Sequence, residues 1–497
     1  MQSVLRQLRS LLSFKGSARI LHLTTGAFFI SFVVWFNLAP FSKAIGADLH
    51  LSKAQLTTLT LCNLALTVPA RILIGALLDR VGPRRLYSGL LIASAIPNTI
   101  FAMAHSYGTL VFSRLALGIV GAGFVVGIRM IAEWFPKEKF GLVEGIYGGW
   151  GNFGAAAAAM ALPVIATAIA SGPGAWRWGI GMSGLAAAVY GLVFLLTTQD
   201  TPYGVTYARP KKASALAVSS RGAVWLLAAL QVPVAGVLGL VAWRIHRVGI
   251  IGTTGLTAVG IGLLALAAWL VSNVLRVNRP VLQGQPVEKS FPFAPVALLS
   301  LAYGVTFGAE LAVIALLPTF FAETFGLKIA AAGLAGSAFA FTNLVSRPGV
   351  GIASDYAKSR KSVVVKCLLG TAVCFGMLNL LNNRWPLALG IAAIGLTSLF
   401  VQGGNGAIFA MVPQIHRPST GQISGLAGSY GNIGGIIFSS VLFFFHDDAH
   451  LLFTVIAVSA LVVGLLCAYL LPSTRHATVS EPGTISAVPE PALVAGN

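Results

Sequence analysis

Apolar residues in this chain neither alternate nor recur on one face. They continue for about twenty positions at a time before a short polar cluster breaks them. A bilayer core of ~30 Å takes about 20 residues of helix to cross. By that measure the chain predicts fourteen helical segments, at 20–46, 53–79, 86–105, 108–135, 140–170, 175–197, 222–243, 249–275, 293–324, 328–354, 362–382, 385–413, 420–445 and 450–471. Polar connectors at 201–215 and 276–292 flank the seventh and eighth. Residues 1–200 therefore read as a six-helix half, 201–292 as a linker with two extra hydrophobic helices, and 293–471 as a second six-helix half. The polar, Pro-rich stretch 472–497 reads as a disordered cytoplasmic tail. Arg6, Arg9, Lys15 and Arg19 precede the first apolar stretch as they would in a signal peptide. That stretch, about 20–45, is too long for an apolar signal region of roughly 7–15 residues, so it reads as a first span.

Composition narrows the class. Hydrophobic residues make up 56% of the 497 and charged ones 9%, against about 25% charged in soluble domains. A water-soluble monomer is excluded. The net charge of +19 does not point to nucleic acid, because Lys and Arg sit in short loops between apolar runs, where topology and anionic lipid explain them. Cys62, Cys367, Cys374 and Cys467 fall inside predicted helices without metal-type spacing and read as small buried hydrophobes. No nucleophile–base pair, metal constellation or cofactor motif emerges, so no enzyme, metal or cofactor is expected.

Loop charges set a direction. Arg80, Arg84 and Arg85 follow the second segment, Lys137 and Lys139 the fourth, and Lys358, Arg360 and Lys361 the tenth. The loops between them carry few basic residues, which predicts an inner or plasma membrane protein with both termini cytoplasmic. Arg244 and Arg247 break the pattern, being basic on the expected outer side. Either the extra pair crosses the membrane fully, or it dips in from the cytoplasmic face.

The chain repeats itself. Arg71, Gly75 and Asp79 recur as Arg347, Gly351 and Asp355, each 276 positions later, and Gly151-Asn152 recurs as Gly431-Asn432, 280 later. Constant offsets imply duplicated halves with a substrate site between them near mid-membrane. Arg71 and Arg347 lie two turns inside apolar segments, where a charge is costly and faces a cavity or partner. Neither segment carries an acidic residue at that depth. Two related cations without local counter-ions predict an anionic ligand, and the planar guanidinium fork suits a flat oxyanion. That reading requires both arginines to lack a carboxylate partner; a neutralised one would leave only a generic carrier. Gly148, Gly149, Gly151 and Gly154, and Gly425, Gly428, Gly431 and Gly434, form stripes that read first as helix packing. Asn152 and Asn432 are the few polar side chains among them.

Residues 75–85, with Gly75, Asp79, Arg80, Gly82 and Pro83, resemble the major facilitator superfamily's signature after its second helix, and 351–361 echo it around Asp355. Asp79, Arg80 and Asp355 are thus expected to gate the cytoplasmic side. Nearly the whole chain resembles the nitrate/nitrite porters of that superfamily, most specifically at 148–156 and 425–435, and also at 32–37 and 406–413. The extra pair of segments is similar to the bispecific permease subgroup. The resemblance implies an all-α membrane protein with the major facilitator fold, six plus six pseudo-symmetric helices with two inserted. It further implies an anion clamped between Arg71 and Arg347, with Phe124, Tyr303 and Phe307 as aromatic walls and Asn343, Asn152, Asn432, Gly151 and Gly431 lining the site. Glu310, one turn beyond Phe307, is the candidate proton carrier; His22 and Glu144 are weaker ones, and Glu133 and Glu323 read as structural. The partners expected are nitrate, nitrite, protons and the bilayer. An exchanger, a facilitator for a larger anion such as a monocarboxylate, and a non-transporting nitrate sensor are the alternatives.

Overall fold

Residues 9–209, 215–285, 291–445 and 448–472 are described in a computed structural model of the protein. The expected tail lies outside these residues from position 473 onward. Each predicted apolar run is helical, because in hydrocarbon a backbone must satisfy its own hydrogen bonds. In the first half these are α1 (Gly16–Phe36), α2 (Lys53–Ala65), α3 (Thr67–Val81), α4 (Pro83–Ala102), α5 (Tyr107–Leu117), α6 (Gly123–Trp134), α7 (Phe140–Asn152), α8 (Gly154–Ile169) and α9 (Trp176–Thr197). The inserted pair is α10 (Arg221–Ala229) continuing into α11 (Val232–Arg247), then α12 (Thr253–Val277). The second half comprises α13 (Ala294–Phe325), α14 (Ile329–Phe341), α15 (Asn343–Tyr356), α16 (Arg360–Leu378), α17 (Leu387–Ile415), α18 (Thr420–Phe444) and α19 (Ala449–Leu470). Among the described residues, twelve helical stretches are long and apolar enough to cross a membrane, several made of two successive helices. The other two predicted segments, 86–105 and 328–354, are also helical, as α4 and as α14 with α15.

The basic loops gather at one end of the bundle, where the halves lock together. Asp79, at the end of α3, accepts the backbone N–H groups of Gly421 and Gln422 at the start of α18, both at 3.0 Å. Asp355, at the end of α15, accepts those of Gly141 and Leu142 at the start of α7, both at 2.8 Å. Each half thus caps a helix N-terminus of the other, where a carboxylate meets orphan donors and the positive end of the helix dipole. Arg360 binds Asp355 at 2.6 Å and the Lys137 carbonyl at 2.7 Å. Arg129 lies 3.0 Å from Glu133 and 3.6 Å from Asp79, and donates to the Arg417 carbonyl. Arg80 is exposed. At the opposite end, Arg177 pairs with Asp48 at 3.1 Å.

The glycine stripes are the surfaces on which these crossings pack. A Cβ on Gly75 would stand 3.1 Å from Gly425 Cα and overlap the Gly421 carbonyl. A Cβ on Gly145 would stand 2.5 Å from the Arg347 carbonyl oxygen. Backbone meets backbone in both places, as small residues permit between membrane helices.

The inserted helices run from the basic end of the bundle to its other end, the course that a full crossing would take. Their connectors meet at the basic end, where the Val218 N–H donates to Asn278 Oδ1 at 2.9 Å and Phe291 stacks on His416. The far end of α11 places Trp243 against Phe444 and the Arg244 guanidinium 3.5 Å from the Phe443 ring centroid, at the other end of α18. Arg244 thus reaches that end by stacking on an aromatic face.

Asp79→Ala removes two charge-assisted bonds at the basic end, worth about 1.5–3 kcal/mol each. With the four buried native cysteines replaced, a cysteine at the buried interface position Ser419 should react faster with maleimide in the Asp79→Ala background. Unchanged labelling would mean that Asp79 does not hold this closure.

Candidate functional site

Arg71 and Arg347 project from α3 and α15 into one buried region between the halves, both with no exposed surface. Their compensation differs. Arg71 Nη1 donates to the Gly428 carbonyl at 2.7 Å and Nε to that of Gly121 at 3.1 Å, while Nη2 has no hydrogen-bond partner. Its guanidinium carbon lies 5.6 Å from the Phe124 centroid and 5.4 Å from that of Phe307. No carboxylate pairs with it among the described residues.

Arg347 does face carboxylates, which corrects the expectation of two cations without counter-ions: the paired charges alone no longer argue for an oxyanion, and Arg71 is left to carry that reading. Glu310 Oε2 on α13 lies 3.5 Å from its Nη2, and Glu144 Oε1 on α7 lies 3.7 Å from its Nη1. Both acids come from other helices, so scanning along Arg347's own segment could not find them. These are ion contacts without hydrogen-bond geometry: all three Arg347 nitrogens lack a hydrogen-bonded partner. The surroundings of the two acids differ as well. Glu310 accepts from Asn405 Nδ2 at 2.7 Å and from Asn343 Nδ2 at 3.1 Å. Neither oxygen of Glu144 accepts any hydrogen bond.

An aromatic box completes the region. Tyr303 and Phe307, one turn apart on α13, stack with centroids 5.0 Å apart and planes at 7°. Phe124 lies parallel to Tyr303 at 6.1 Å, and Phe409 stands edge-on to both at 4.6 Å. The Tyr303 hydroxyl neighbours both guanidinium groups. Gly431 makes room for this stack, since a Cβ there would stand 2.6 Å from Tyr303 and 2.8 Å from Phe307. Gly151 serves Phe28 in the same way, and Phe28 packs 5.2 Å from Phe124. Asn432 donates to the Gly428 carbonyl at 3.3 Å and leaves Oδ1 without a partner; neither amide atom of Asn152 has one.

Arg71, Arg347, Phe124, Tyr303, Phe307, Asn343 and Glu310 therefore share one region, with Asn432 and Gly431 beside it. Asp79, Arg80 and Asp355 lie apart, at the basic end. His22 bonds the Leu11 carbonyl at 2.7 Å and stacks on Phe14, away from the arginines. Glu133 pairs with Arg129 and Arg417. Sequence reading missed Asn405 and Tyr147, which carry no pattern of their own, and marked Phe409 only as part of the stretch 406–413. It also passed over Arg114 and Arg129, whose position inside apolar runs was a usable signal.

A buried polar site between two repeated helical halves, closed at one end by reciprocal helix caps, defines a membrane carrier. The family model described as Major Facilitator Superfamily matches residues 24–282 and 299–494. The nitrate/nitrite transporter NrtP of Nostoc punctiforme is 43% identical over 476 residues, covering 94% of this chain and 95% of that protein. NrtP of a Picosynechococcus species is 42% identical over 503 residues, covering 93% and 94%. Among solved structures the proton:xylose symporter XylE superposes with a TM-score of 0.61 at 14% identity, over 92% of this chain and 96% of that one, a likeness of fold alone. The chain belongs to the nitrate/nitrite porter family of the major facilitator superfamily. These relatives are named as transporters, not enzymes.

Removing one member of a buried ion pair leaves the other uncompensated, at a cost of about 3–5 kcal/mol. Glu310→Ala should lower the thermal unfolding temperature of the purified protein, and adding Arg347→Met should restore part of the loss. A double variant no more stable than the single one would deny the coupling.

Proposed function

We propose that this protein imports nitrate and nitrite through a cell membrane by alternating access, with protons entering alongside. Arg71 carries the reading: it is a buried guanidinium without a carboxylate, with a free Nη2 donor, between two aromatic faces. A flat oxyanion can take that donor while lying against the rings of Phe124 and Phe307. Arg347 approaches from the other half, and the Asn152 amide has no partner of its own. The names of the NrtP relatives support nitrate and nitrite as the ions.

The charges argue for protons. Two guanidiniums face two carboxylates, so the empty site is neutral. A lone anion would leave a buried net charge, costly in low dielectric. It would also enter against an inside-negative potential, at about 2.3 kcal/mol per charge per 100 mV. An anion accompanied by at least one proton avoids both costs. The basic end faces the cytoplasm by the bias of loop charge, so the reciprocal Asp79 and Asp355 caps close the inner gate. Rocking of the halves about the buried site exchanges which side is open.

Purified protein in liposomes should take up nitrate with alkalinisation of the external medium. Arg71→Lys, which keeps the charge but loses the planar fork, should reduce uptake roughly 10–100-fold, the equivalent of one or two charge-assisted hydrogen bonds. Transport at the wild-type rate by that variant would refute the clamp.

A further inference from the structure

The two carboxylates facing Arg347 are not equivalent, and the difference assigns them separate tasks. Glu310 and Arg347 both belong to the second half, on α13 and α15, so rocking carries them together. Glu310 is held by two amide donors, from Asn343 at 3.1 Å and Asn405 at 2.7 Å. Such donors stabilise a carboxylate in its charged form. Glu310 is a fixed counter-ion.

Glu144 is on α7 of the first half. Its contact with Arg347, at 3.7 Å, is the ion contact at the site that joins opposite halves among the described residues. The carboxylate is fully buried and neither oxygen accepts a hydrogen bond. A carboxylate without donors keeps its charge only through a nearby cation, so its protonation state follows what Arg347 is doing. Space is kept for it by glycine: a Cβ on Gly406 of α17 would stand 3.2 Å from Glu144 Oε2. Arg347 is the charged group closest to it. Tyr303 faces it from α13 and Tyr147 from its own helix, while Glu310 shares Arg347 with it.

We propose that Glu144 is the proton-binding residue, and that its carboxylate and the transported anion alternate on Arg347. This rests on the nitrate-import reading above. In the empty carrier the charged Glu144 occupies Arg347 Nη1 and ties the halves together. When one proton adds to one Glu144 oxygen, the acid becomes neutral, its hold on Arg347 lapses, and the guanidinium turns to the incoming oxyanion. The loaded site then contains two guanidiniums, one Glu310 carboxylate, one anion and one neutral acid, and is again uncharged. After opening to the other side the anion leaves, the proton goes to water, and the Glu144 carboxylate returns to Arg347. Proton and anion therefore bind cooperatively, and by linkage each strengthens the other equally.

The test is proton uptake on addition of sodium nitrate to the purified full-length protein in weakly buffered detergent solution, together with nitrate affinity against pH. Wild type should draw protons from the medium, and its affinity should tighten as pH falls, by an amount within the roughly 5–150-fold typical of coupled ligands. Glu144→Gln should bind nitrate without drawing protons, its affinity should be flat with pH, and in liposomes it should still exchange nitrate for nitrate. Retained exchange certifies the fold. Should Glu144→Gln fail to bind at all, Glu144→Asp takes its place. A displaced pH profile for that variant is the expected result, and a profile identical to wild type overturns the assignment. Glu144→Gln that still takes up protons with nitrate, while Glu310→Gln does not, also overturns it and leaves symport standing. Wild type that binds nitrate with no proton movement defeats the symport reading itself.

Discussion

A guanidinium buried inside a membrane-spanning bundle has to be compensated where it stands, and the arrangement of this protein follows from how each buried arginine is compensated. Arg114 is met by neutral oxygens, Asn37 Oδ1 and the Trp35 carbonyl, both at 2.8 Å, and by the Phe101 ring. Arg129 and Arg360 are met by acids and carbonyls at the basic end. Arg71 takes two carbonyls and two ring faces and keeps a donor free. Arg347 takes two carboxylates, at 3.5 and 3.7 Å, without hydrogen-bond geometry. Compensation is tight where the protein is a scaffold and loose where the halves meet around the aromatic box. Loosely compensated charge is what a passing ion can exploit.

The same crossings serve closure and binding. One turn separates Arg71 from Gly75, and another separates Gly75 from Asp79; the repeat runs Arg347, Gly351, Asp355. Each of these helices thus presents, in order, a site cation, a glycine for close contact and a carboxylate that caps a helix of the opposite half. A shift of one half against the other moves all three together. Movement at the caps is therefore felt at the arginines without any separate relay. The linker joins in at the same place, since the Tyr207 hydroxyl accepts from Arg129 Nε and donates to the Leu78 carbonyl, both at 3.0 Å.

Much of this was legible in the chain, for physical reasons. Hydrocarbon forces backbone bonds to close within each segment, so apolar runs mark helices directly, and duplicated spacing marks the two halves. Interruptions were less visible. The run at 140–170 is two helices meeting at Phe153, and 328–354 is broken at Thr342. Partnerships were the least visible. Arg347 is fully buried, but its acids are 203 positions before it, at Glu144, and 37 before it, at Glu310. Tertiary packing alone brings them together, and no pattern within one segment records it. Asn405 was hidden for the same reason.

The central claim is that the site is electrically neutral both empty and loaded, so that the anion never crosses as bare charge. The dependence of nitrate accumulation on membrane potential tests it most directly. In proteoliposomes held at an inside-negative potential of about 100 mV with potassium and valinomycin, at fixed pH on both sides, the accumulation ratio should not fall below its value at zero potential. A fall of about 50-fold, the equivalent of 2.3 kcal/mol on one uncompensated negative charge, would contradict the account.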